Sequence, residues 1–199
     1  MIVLTGRVVP GVLAELDKLS NVRASTIDRA SADVPDPARS FISRAHATYV
    51  VHDDDPLADL GRAWSGFFDE SAPVGTLEVA VETTLRAFES GEAVLPDYFI
   101  VLDPDSLTDT QKNWWFGALA GVSPSRVVPS GPTAGAVQTA IAGLTAGRWW
   151  PEPLGDWIRS ISRIVPDQRV LVRPAGDPSH QPSMSRTSAT RAAGSNRPT

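Results

Sequence analysis

The 199-residue sequence has no cysteine, three histidines and, among 18 basic residues, only two lysines, Lys18 and Lys112. The missing cysteine excludes disulfides, thiolate metal sites and cysteine nucleophiles together. The scarcity of lysine and histidine leaves few groups for phosphate binding, Schiff-base chemistry or general base catalysis. No apolar run approaches the eighteen or so residues of a membrane span, so no membrane partner is expected. The opening MIVLTGRVVPG lacks the basic, long-apolar and small-residue segments of a secretory signal, and a cytoplasmic location is expected. Charge is also short on one side. The net charge is −5, yet residues 173–199 carry four arginines against Asp177 alone, so the remainder is more acidic still. An acidic body lacks the cations that neutralise phosphates, which argues against a nucleic-acid partner.

What is present is enough for a core: 42% of residues are hydrophobic. Short apolar runs at Ile2–Leu4, Ala47–His52, Tyr98–Leu102 and Arg126–Val128, with a weaker one over residues 21–27, alternate with segments of helical period. Those helical segments are VPGVLAELDKLS, Leu57–Phe68, Thr76–Ser90, Thr108–Val122, Gly131–Trp149 and Pro153–Val165, with a turn of helix near Ala38–Ser43. Gly91 stands where a helix C-terminal glycine belongs. Alternating strands and helices predict an α/β fold, Rossmann-like: a small doubly wound, mostly parallel sheet of four or five strands with helices on both faces. One domain is expected over 1–172. Residues 173–199, rich in Ser, Thr, Pro and Arg, are expected to be a disordered tail.

One internal echo stands out. YVVHDDDPLADLGRAW (49–64) lies over FIVLDPDSLTDTQKNW (99–114) so that Asp53, Asp55, Leu57, Asp59 and Trp64 match Asp103, Asp105, Leu107, Asp109 and Trp114. Ligands of parallel sheets bind beyond the carboxyl ends of the strands. If the two strands are neighbours, Asp53, Asp55, Asp103 and Asp105 converge into a hard-oxygen site suited to Mg²⁺, with His52 as base and Asp53 and Asp103 at the reacting centre. The competing reading makes each cluster an ordinary turn, its acids capping a helix. VLDPDS resembles the strand-then-DxD pattern of haloacid dehalogenase-type phosphatases, Toprim domains and nucleotide-sugar glycosyltransferases, and VHDDD resembles the acidic pocket of response-regulator receivers. Each resemblance covers about six residues. The later lysine of the phosphatases and receivers and the early glutamate of Toprim domains have no counterpart here.

Other signals are shorter. Ser130, Gly131 and Thr133 lie between a strand and a helix, where backbone N–H groups can hold a phosphate, but no lysine follows. Gly6 and Gly11 in LTGRVVPG have GxxxxG spacing without the Lys-Ser/Thr that completes a phosphate loop. His46 and His52, six apart, are expected on one face of a strand. No Gly-x-Ser-x-Gly elbow appears. Six tryptophans include the pairs Trp114–Trp115 and Trp149–Trp150. Neighbours on a helix face different ways, so one of each pair is expected in the core. Trp114, Trp149, Trp150 and Trp157 are the candidates for an interface.

Two functions follow as expectations. The first is a non-catalytic module, without cofactor, that binds a protein partner or a second copy of itself. The second is a Mg²⁺-dependent phosphoryl-transfer, hydrolytic or nucleotide-binding domain built on the strand-end aspartates.

Overall fold

The computed structural model describes residues 1–8, 10–28 and 37–166. The expected tail therefore lies outside the described residues. Five strands form one all-parallel sheet: β1 (Ile2–Gly6), β2 (Val22–Ser25), β3 (Tyr49–His52), β4 (Tyr98–Leu102) and β5 (Val127–Ser130). Their order is β2-β3-β1-β4-β5, so the first strand is central. The helices are α1 (Val12–Leu16), α2 (Pro37–Arg44), α3 (Ala58–Phe68), α4 (Thr76–Glu89), α5 (Asp109–Lys112), α6 (Ala120–Val122), α7 (Ala134–Ala142) and α8 (Leu154–Ser160). The predicted α/β class is the observed one.

Strand periodicity divides the core in two. Ile2, Leu4, Val51, Ile100 and Leu102 point to one face, where α1 and α7 bury Leu13, Leu16, Val137 and Ile141 against them. Val3, Phe99, Val101 and Val127 point to the other, under α3, α4, α8 and the helix that joins α5 to α6. Phe99, Ile100, Val101 and Leu102 are all fully buried, as expected of a strand covered on both sides.

Two predicted helices are broken. Thr108–Val122 begins as α5, widens to a π-helix over Asn113–Leu119 and ends as α6. Within it Trp115 meets Phe99 of the sheet at 5.2 Å while Trp114 meets Trp64 of α3 at 5.6 Å. Both indoles are buried, which departs from the expectation of one core member per pair. The helix lies in a corner with apolar walls on two sides, so successive side chains both find cover.

The second correction is Gly131–Trp149, which is helical only over Ala134–Ala142. Beyond it, Arg126 gathers the chain. Its guanidinium donates to the carbonyls of Arg148, Gly147 and Asp97. A Cβ on Gly147 would fall 1.8 Å from the Ser125 hydroxyl. The helix ends at the Gly143 cap, and two carbonyls of the segment beyond it, those of Gly147 and Arg148, turn toward the buried cation.

Candidate functional site

The carboxyl edge of the sheet was the expected place for chemistry, and the order of strands decides what meets there. β1 runs between β3 and β4. Two strand spacings, about 10 Å, therefore separate the backbones of the two aspartate turns. The condition for convergence, neighbouring strands, is not met. Among the described residues no group of three or more His, Asp or Glu is placed to hold a metal ion.

Three of the four candidate aspartates have a local role. Asp53 accepts from the Ile27 N–H at 2.9 Å, tying the exit of β2 to that of β3. Asp55 accepts from the Leu57 N–H at 2.8 Å and from the Thr5 hydroxyl at 3.3 Å. The Asp54 N–H donates to His52 Nδ1 at 3.3 Å. Asp103 sits in the left-handed region at φ 48°, facing Arg7 at 3.8 Å, and Asp105 is exposed. The second turn takes its helix cap from elsewhere. The Thr108 hydroxyl accepts from the Gln111 N–H, and the Gln111 side-chain oxygen accepts from the Thr108 N–H. That capping box is written in the sequence as Thr-x-x-Gln, a signal the aspartates obscured.

The loop after β1 has the backbone of a phosphate cradle but not its side chains. Gly6 lies at φ 80°, and a Cβ there would come 2.6 Å from the Leu102 carbonyl, so only glycine lets β1 leave the sheet at this angle. Gly11, at φ 92°, starts α1. The next two positions, where a phosphate loop carries lysine and a hydroxyl, hold Val12 and Leu13, both buried in the core. At the neighbouring edge Thr133 caps α7 by accepting from the Ala136 N–H, while the buried Ser130 hydroxyl donates to the Gly131 carbonyl. Of the three residues expected to bind phosphate, Thr133 thus serves the helix start, while Ser130 bonds within its own turn.

His52 is 2% exposed. Burial pushes its imidazole below the ordinary value of 6.5, against the opposing pull of Asp54 and Asp53. Its Nδ1 accepts a hydrogen bond, and its Nε2 is buried with no partner. His46 lies exposed before the strand rather than on it.

The tryptophans also sort by burial. Trp114, Trp150 and Trp157 are 2%, 5% and 8% exposed and belong to the core, so three of the four expected interface residues offer little outer surface. The Trp150 indole N–H is used inside, donating to the Pro96 carbonyl at 2.7 Å. Trp149 alone is exposed, and Arg126 stacks on it at 4.1 Å.

Two of the concave regions bear on function. A cleft of about 440 Å³ opens where β1 ends, lined by Thr5, Gly6, Asp55, Gln111 and Trp114. A larger groove of about 800 Å³ runs between α3 and α4. Sequence reading missed the groove because its floor is alanine, glycine and threonine, which carry no periodic apolar signal. Among the described residues no helix is long and apolar enough to cross a membrane.

No protein-family model, curated protein or solved structure matches this chain.

Proposed function

We propose that this chain is a non-catalytic α/β module that works by binding another protein, as an accessory subunit or by self-association. The observation that carries the reading is Val12–Leu13. The two positions that would supply a phosphate-binding lysine and a metal-binding hydroxyl are filled by buried hydrophobes. The aspartates beside that loop are engaged in turns on either side of β1, which gives the edge a structural use. Exposed apolar surface supplies the positive side: Phe67, Val74, Val79, Val94, Trp149 and Val165 are large hydrophobes left open. Such surface marks interaction sites when it is grouped.

The Mg²⁺-dependent phosphoryl-transfer or nucleotide-binding reading draws on the cleft at the end of β1, with Thr5 and Asp55 in its wall. Thermal unfolding with millimolar Mg²⁺, alone and with ATP or GTP, separates the two. A ligand that binds only the folded chain raises its stability, by about 2.7 kcal/mol at a hundredfold excess over Kd. No rise is expected. A rise that disappears in Asp55→Asn would replace the module with a nucleotide site.

A further inference from the structure

We infer that the groove between α3 and α4 docks a basic amphipathic helix of a partner protein. This deepens the preceding reading and rests on it. The groove is walled by Arg62, Ala63 and Gly66 of α3 and by Val79, Ala80 and Thr83 of α4. Spacings of three and four keep each set on one side of its helix. A floor of alanine and glycine leaves room that larger side chains from outside can fill. The 14 residues of α4 extend about 21 Å, the length of roughly four turns of an incoming helix.

Charge and apolar exposure coincide on this part of the molecule. The groove's own lining carries Asp54, Asp59 and Glu92 against Arg62, and the whole stretch from Asp53 to Asp97 holds eleven acidic residues and two basic ones, Arg62 and Arg86. Of those two, Arg62 is held by Asp59 at 2.7 Å. Four of the six large exposed hydrophobes among the described residues, Phe67, Val74, Val79 and Val94, fall in the same stretch. Val79 lines the groove itself, and Val94 lines a smaller cavity that shares Pro56, Glu92 and Ala93 with it. An acidic surface with exposed apolar side chains complements a helix that is basic on one side and apolar on the other. A second copy of this chain would bring acid against acid, and the arginine-rich residues 173–199 have too few apolar residues to fill the groove.

The test is a fluorescence-anisotropy titration of the full chain with a labelled 18-residue peptide, leucine along one helical face and lysine elsewhere. A permuted peptide of the same composition serves as control. Saturable binding at least tenfold tighter than the permuted peptide is expected. The Val79→Lys, Thr83→Lys double variant should weaken it at least tenfold, and Val165→Lys should leave it unchanged. All three positions are exposed, so melting curves should show each variant folded. Equal binding of the permuted peptide, or unchanged affinity in the double variant, would overturn the proposal. So would a tenfold gain on deleting residues 173–199, which would make the chain's own end the occupant. A change in sedimentation mass with the double variant would name a second copy instead. Cross-linking in cells separates this proposal from the reading beneath it. A protein captured equally by parent and double variant sinks the groove and keeps the module, whereas no capture together with a nucleotide response sinks the module.

Discussion

Residues 49–64 and 99–114 share a sequence pattern but not a structure. In the first, three aspartates follow β3 and are drawn into the surrounding turns, and α3 then runs regularly for eleven residues. In the second, Asp103 takes a left-handed conformation, Pro104–Ser106 makes a short 3-10 turn, and a capping box starts a helix that widens within four residues. The two matched tryptophans then meet each other, 5.6 Å apart. The difference teaches that an echo in sequence can record a shared packing target instead of a shared site. What the repeats have in common is an indole delivered to one place beneath α3.

The sharpest way to break that meeting is at Gly61. A Cβ there would lie 2.6 Å from Trp114 Nε1 and 2.8 Å from its Cε2, so the indole would have to shift. Gly61→Val should cost about 3 kcal/mol, since overpacking forces side chains off their rotamers. Urea unfolding measures it, and a loss below about 1 kcal/mol would mean that the indole moves freely. A smaller effect sharpens the comparison between the indoles. The Trp64 N–H donates to the Ile161 carbonyl at 3.0 Å, whereas the Trp114 N–H is buried without a partner. Trp64→Phe leaves an acceptor unmet and Trp114→Phe removes an unmet donor, so the first should cost about 1.5 kcal/mol more. Equal costs in the same unfolding assay would show that the bond is immaterial.

The fold was legible because its signals are repetitive. Ile100 and Leu102 face one layer and Phe99 and Val101 the other, and an unbroken apolar run is what such a strand must look like. The ends of elements were less legible. Gly143, the residue that ends α7, is a local stop signal that the longer helical reading passed over, and the carbonyls of Gly147 and Arg148 are then taken by Arg126 from a distant turn. The site was least legible of all. Asp53 and Asp103 look alike in sequence, and only the position of β1 between their strands shows how far apart their turns stand.

The echo also pairs His52 with Leu102, and that pairing yields a pH test. His52 is held below its ordinary value of 6.5 in the folded chain by burial, so near that value the unfolded chain binds the proton more readily. Its contribution to stability is therefore complete above about pH 6.5 and is lost as pH falls through the depressed folded value. The slope per proton is at most about 1.4 kcal/mol per pH unit. His52→Leu should flatten the stability curve as pH falls below about 6.5, by up to that slope. An unchanged curve would place the proton uptake on other groups.

The smallest effect returns to the carboxylates. Asp55 accepts a backbone N–H just ahead of α3, and loss of such a bond costs about 1 kcal/mol. Asp105 occupies the matching place, but it is exposed and the helix beyond it is capped by Thr108. Asp55→Ala should therefore destabilise by about 1 kcal/mol, while Asp105→Ala should change stability by less than about 0.5 kcal/mol. The double variant should lose the sum, because residues on opposite sides of β1 with no shared partner are independent. A coupling above about 0.5 kcal/mol, appearing only when Mg²⁺ is added, would show the two turns acting on one ion. That single result would turn two separate turns back into one site.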